Sequence, residues 1–198
     1  MATKNPKQER SRITFKSILE ASVQILSRTK DDKLNTREVA ERAGVSVGSL
    51  YQYFTSADAI FQTLVKEQNA KDNELAREVF EQHPHLPAEE KLLMVFERLI
   101  HAHMKNAKVR AIFVRKAFSL AAVETITTEV ETTIRNLYEQ LKPEIMIAPS
   151  RDLELTLFIL SRSLFAVLMS AALEPERVLG RERQMAEELT KLSLGFLR

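Results

Sequence analysis

Residues 36–54 read TREVAERAGVSVGSLYQYF, and the order of caps, breaks and apolar positions along this stretch decides how the rest of the chain is to be read. Asn35, immediately before it, offers an N-cap whose side chain can accept from free backbone N–H groups, and Glu38 stands three positions on, as in a capping box. A short helix over about 36–43 follows. Gly44 then occupies the place after a helix where a left-handed backbone is needed, which glycine adopts cheaply. With Val45 and Ser46 it makes a tight turn, and Ser46 can cap a further helix over about 47–53. Two short helices at such a turn, braced by a third, form a helix-turn-helix.

The brace lies upstream. Phe15, Ile18, Leu19, Ile25 and Leu26 recur at helical spacing, which predicts a first helix from about Gln8 to Thr29, ended by the charged run Lys30 to Lys33. On the helix after the turn, Val47, Gly48, Tyr51 and Gln52 share one face. Leu50 and Phe54 point the other way, into a small core with Val39, Ala40 and Ala43. The polar and aromatic face is left to enter a DNA major groove. Gln52 can pair bidentately with adenine, Ser49 can bond base or phosphate, and Val47 can touch a thymine methyl. Arg37 and the tyrosine hydroxyls suit positioning contacts better than reading.

The run from Thr36-Arg37 through Ala40 and Ala43-Gly44-Val45-Ser46 to Gly48-Ser49-Leu50-Tyr51 and Tyr53-Phe54 resembles the signature of TetR-family repressors. Close similarity covers about Ile13 to Leu64. The resemblance implies DNA-binding roles for Thr36 and Arg37 near phosphates, for Ser46 at the start of the reading helix, for Val47, Gly48, Ser49 and Gln52 at base edges, and for Tyr51 and Tyr53 largely on the backbone. For Tyr51 a ring packed across the first helix is the other reading. Two departures stand out: Ala57-Asp58 replaces a lysine that commonly reaches a phosphate, and Thr29-Lys30-Asp31-Asp32 replaces a glycine that usually closes the first helix.

The remaining chain is expected to be helical. Only 4 of 198 residues are glycine and 6 are proline, with helix formers filling apolar and charged positions alike. Ser56 can cap a helix running to about Gln82. The interruption His83-Pro84-His85-Leu86-Pro87 ends it, with Pro87 suited to the first helical position of a segment reaching about Lys105 and Glu89 and Glu90 favouring its positive end. Further helices are predicted at about 108–118, 121–142, 151–174, opened by Pro149 and Ser150, and 181–197. The fold class is therefore all-α: an N-terminal three-helix helix-turn-helix domain over 1–56, then a larger helical ligand-binding and dimerisation domain over 57–198, about nine helices in total.

One short reading helix gives little specificity, so a two-fold homodimer reading two half-sites of double-stranded DNA is expected. The segment Leu153 to Leu173 is apolar around much of its circumference, and with the last helix it offers Ser161, Phe165, Leu168, Ala172, Leu189, Leu192 and Phe196 as an interface; the same residues would also serve as core within one subunit. The resemblance further implies an apolar cavity for a small effector, with Phe96, Leu99, His103, Phe113, Phe118, Phe158, Phe165 and Met169 as candidates, though such residues at helical spacing also build ordinary cores.

Charge and composition narrow the classes. Residues 1–60 carry ten Lys and Arg against seven Asp and Glu, and Lys4, Lys7, Arg10, Arg12 and Lys16 face only Glu9, which suits an arm near phosphates or an ordinary solubilising tail. There is no cysteine, and His83, His85, His101 and His103 lack metal spacing, so neither metal nor cofactor is expected. The absence of a glycine-rich phosphate loop, an HExxH pair or a GxSxG elbow argues against an enzyme. The polar start lacks a signal-peptide core and no apolar run approaches a bilayer crossing, so a cytoplasmic protein without membrane contact is expected. The reading is a repressor released from a palindromic operator by a small apolar ligand. Its alternative is a DNA-binding protein of the same fold that recruits a protein partner and takes no ligand.

Overall fold

Local chemistry sets where each helix begins and stops. The computed structural model describes residues 9–28, 33–119, 123–145 and 152–197, and among these residues there are nine α-helices and no strand. They are α1 (Glu9–Arg28), α2 (Thr36–Arg42), α3 (Val47–Tyr51), α4 (Ala57–Gln82), α5 (Ala88–Lys105), α6 (Ala107–Ser119), α7 (Val123–Leu141), α8 (Leu153–Leu173) and α9 (Glu182–Leu197). A 3-10 turn, Pro175–Arg177, precedes α9.

The expected caps are present. Asn35 Oδ1 accepts from the Arg37 N–H at 2.9 Å, Ser46 Oγ from Ser49 at 3.0 Å and Ser56 Oγ from Ala59 at 3.2 Å. Gly44 has φ of 68°, and there the Gly44 and Val45 N–H groups bond back to Glu41 and Ala40, the paired closure that a left-handed residue permits. α3 is shorter than predicted because the Gln52 and Tyr53 N–H groups turn to Ser49 and Leu50, tightening its last turn.

Two helix starts differ from expectation. Pro87 stands one position before α5 with ψ of 151°, and it brings no side-chain cap. The Glu144 carboxylate fills that role, accepting from the Ala88 N–H at 2.6 Å and from Lys91 Nζ at 2.9 Å, and Lys91 holds the Glu144 carboxyl below its ordinary pKa. α8 is capped by Asp152, whose Oδ1 accepts from Leu155 at 3.1 Å. Pro149 and Ser150, expected to open this helix, lie outside the described residues, as do the arm residues Lys4 and Lys7 and the loop Thr29 to Asp32.

The chain divides into two compact units, one of Met1–Gln68 with Ala111–Ala122, the other of Asn69–Arg110 with Val123–Arg198. In the first, α2 packs on α1 and α3 on α2, around buried Ile18, Leu26, Val39, Leu50, Phe54 and Phe61. In the second, α5 packs on α9 and α7 on α8, around Phe80, Phe96, Ile100, Leu141, Leu157 and Leu160. The expectation about apolar runs needs correcting, because α8, at 21 residues, is long and apolar enough to cross a membrane by length and composition. Its mid-helix Arg162 donates to Glu131 at 3.0 Å and to the Thr127 carbonyl at 3.2 Å, both on α7.

Candidate nucleic-acid interface

The short α3 is held by its buried side, which leaves the other side exposed. Leu50 and Phe54 are fully buried, and Phe54 stacks on Phe15 of α1 with ring centroids 5.1 Å apart. Val47, Gly48, Tyr51 and Gln52 are all exposed, Tyr51 to 47%. Ser46 is exposed and Ser49 half-buried, their hydroxyls 2.9 Å apart. On α2, Arg37 is exposed and Thr36 half-buried, with the Thr36 hydroxyl 3.2 Å from that of Tyr51. That bond aims the Tyr51 ring along the α2 side of the exposed face. α2 is itself tied to α1 by Arg42 Nη1, which donates to Gln24 Oε1 at 3.2 Å.

The two tyrosines are placed differently. Tyr53 is 6% exposed, its ring 6.3 Å from Phe15 and its hydroxyl 3.0 Å from that of Ser11. It is Tyr53, and not Tyr51, whose ring lies across α1. A side chain at Gly48 would meet only Ser46 Oγ, at 3.9 Å, so the backbone there is open to close approach. At the start of α4 the first turn holds Asp58 and no cation.

The residues expected to line an effector site are divided between the two units. Phe96, Leu99, His103 and Phe165 are buried and Met169 half-buried in the second unit, whereas Phe113, buried, belongs to the first. Phe118 and Phe158 face outward, 61% and 47% exposed, and the Arg162 guanidinium sits 4.7 Å over the Phe158 ring, an arrangement stable in water. His103 has a partner that helical spacing did not reveal. Its Nε2 lies 3.2 Å from Asp72 Oδ2, and Arg110 grips both Asp72 oxygens at 2.6 and 2.7 Å. Burial pushes the Asp72 carboxyl up, but hydrogen bonds from Arg110 and His103 outweigh it and bring its pKa down to about 2.

Of the residues offered for a subunit interface, Ser161, Phe165, Ala172 and Leu189 are buried by their own chain, and Leu168 and Phe196 half-buried. Leu192 is exposed. The outward apolar side of α8 and α9 instead carries Leu155, Ile159, Leu173 and Leu192, with small Ala166, Ser170 and Gly195 between. It includes an open groove of about 460 Å³ lined by Leu155, Thr156, Ile159, Leu192, Gly195 and Phe196, with Asp152 and Lys191 at its edges.

Comparison with known proteins gives a consistent picture. The family model of bacterial regulatory proteins, tetR family, matches residues 18–64, and that of the tetracyclin repressor-like C-terminal domain matches residues 87–197. No curated protein sequence matches the chain. Among solved structures, a TetR-family transcriptional regulator from Mesorhizobium loti MAFF303099 superposes with a TM-score of 0.71 at 16% identity, covering 96% of this chain and 98% of that one. FadR from Bacillus subtilis, solved with stearoyl-CoA, gives 0.64 at 14% identity over 93% and 100% of the two chains. FadR from Thermus thermophilus, a TetR-family repressor solved with lauroyl-CoA, gives 0.62 at 18% identity over 90% and 94%.

Proposed function

Because the chain belongs to the TetR family of bacterial regulatory proteins, and is thus a transcription regulator and not an enzyme, we propose that it is a dimeric repressor that binds a palindromic operator and is released by a small apolar ligand. The observation that carries the DNA-binding part is the outward face of α3, where Val47, Gly48, Tyr51 and Gln52 stand exposed on a helix fixed from behind by Leu50 and Phe54. On this face Gln52 reads a base, and Val47 and Gly48 allow close approach. Thr36, Arg37 and Tyr51 hold the backbone. Residues 1–56 do the reading, and 57–198 dimerise and sense.

Dimerisation is supported by the outward apolar side of α8 and α9. An exposed stripe with Leu155, Ile159, Leu173 and Leu192 around small residues is what a two-fold contact of close-packed helices covers. That stripe replaces the buried Ser161, Phe165, Ala172 and Leu189 as the proposed contact. The effector is proposed as largely apolar because the candidate side chains Phe96, Leu99 and Phe165 are apolar and buried. Two structures of the same fold hold acyl-CoA, which is consistent with a ligand-responsive repressor and at their low identity names no effector for this chain. A repressor of this kind acts in the cytoplasm, where its operator would lie.

The test is direct. Purified protein should retard a palindromic genomic fragment, with affinity falling steeply as salt rises, and some apolar compound should release it. Failure to retard any genomic fragment at low salt overturns the reading. Retardation that survives a broad compound panel overturns the ligand-responsive part and leaves a partner-recruiting regulator.

A further inference from the structure

Asp72 on α4, His103 on α5 and Arg110 on α6 meet inside the second unit. Arg110 donates through Nη1 and Nη2 to the two Asp72 oxygens, His103 Nε2 lies 3.2 Å from Asp72 Oδ2, and His103 and Arg110 are 2% and 6% exposed. A carboxylate gripped by a guanidinium on both oxygens stays ionised, and an ionised carboxylate only accepts. Nε2 must therefore carry the proton and donate. In the neutral form of the ring, Nδ1 is then a bare acceptor.

Nδ1 finds no donor. Among the described residues it is the one buried side-chain nitrogen or oxygen without a hydrogen-bond partner. Folded interiors leave few buried acceptors unmet, because desolvation without a partner is unfavourable. On the same face of α5, one and two turns earlier, Leu99 and Phe96 are both buried. Arg110 already has its two terminal nitrogens on Asp72, so an anionic group placed here would compete with that carboxylate.

We propose that His103 Nδ1 is the polar anchor of the effector site, and that the effector is an uncharged, largely apolar molecule bearing a hydroxyl or N–H donor. This rests on the ligand-responsive reading above and adds the chemistry of the ligand to it. The donor satisfies Nδ1 while the apolar remainder lies among the interior side chains of the same helix face. Binding thereby gives Nδ1 the donor that no group among the described residues supplies.

Two isomeric probes test it, 1-decanol, which can donate, and 1-methoxynonane, which only accepts. Titrated calorimetrically into the full-length protein, 1-decanol should bind about 3- to 10-fold more tightly, the worth of one net hydrogen bond. The ratio should fall to about one in His103→Phe, which has no acceptor. It should also fall in His103→Leu, which likewise has no acceptor and occupies less space than the histidine, and which guards against a folding failure of the first variant. Equal affinity for both probes, no binding of either, or a preference that persists in both variants overturns the proposal. Operator retardation on the same preparations separates the two levels: intact retardation and ligand release without donor preference sinks this inference alone, whereas loss of retardation or release in the wild type sinks the reading beneath it.

Discussion

The Tyr53 hydroxyl meets the Ser11 hydroxyl at 3.0 Å, so the chain just past α3 is fastened to the first turn of α1. Tyr53→Phe keeps the ring against Phe15 and removes only that bond. It should lower stability by about 1 kcal/mol, or about 2–4 °C in the melting temperature. Operator affinity should fall by the same factor on every sequence, because a buried ring reads no base. A changed base preference in a binding-site selection would place Tyr53 at the base edges instead.

Gln52 and Arg37 should separate reading from holding. Gln52→Ala is expected to relax preference at one operator position by about 1–3 kcal/mol, while Arg37→Ala weakens all sites alike and reduces the salt slope by about one. Quantitative gel retardation on a set of single-base operator variants measures both. Uniform loss for Gln52→Ala would remove it from the readers.

The exposed stripe on α8 makes a sharper demand. Ile159 is 37% exposed beside the groove, so Ile159→Glu should leave the single-chain fold intact and place a charge where a second copy would cover it. Sedimentation should then report a monomer at concentrations where the wild type is dimeric, with operator affinity falling at least about 100-fold as the second half-site is lost. A dimer of unchanged stability would move the interface elsewhere.

How far the sequence could be read depended on the range of the chemistry involved. Asn35, Gly44, Ser46 and Ser56 act within four residues of themselves, and each did in the structure what its type implies. α8 defeated the same approach because it is apolar nearly all round, so spacing could not tell Ile159, exposed, from Leu160, buried. The inward turn of Tyr53 follows from the tightening of α3 after Tyr51, which no residue type announced. Asp72 and Arg110 lie 31 and 7 positions from His103 and are brought together only by the packing of three helices; the sole hint was a histidine on the buried side of α5 behind Phe96 and Leu99. Glu144, capping α5 from 56 residues away, is of the same kind.

Asp72 also gives stability a dependence on acid. Its pKa falls from 3.8 to about 2 on folding, so between those values the unfolded chain holds the extra proton. The contribution, about 2 kcal/mol, is complete above about pH 5 and is lost as pH falls through about 2. In urea unfolding, the gap between wild type and Asp72→Asn should be widest near neutrality and narrow steadily below pH 4. A gap that does not change with pH would mean that Asp72 ionisation is not linked to folding.

Gly48 faces nothing in its own protein, its nearest neighbour being Ser46 Oγ at 3.9 Å from where a Cβ would stand. A glycine inside a helix costs roughly 0.5–1 kcal/mol relative to alanine, so Gly48→Ala should melt higher than the wild type while binding operator less well, a trade measurable in one preparation. In a cell carrying both alleles the consequence is genetic. The altered chains would outlast their normal siblings, pair with them and disable the mixed pairs, so the mutation should be dominant-negative even though every molecule is well folded.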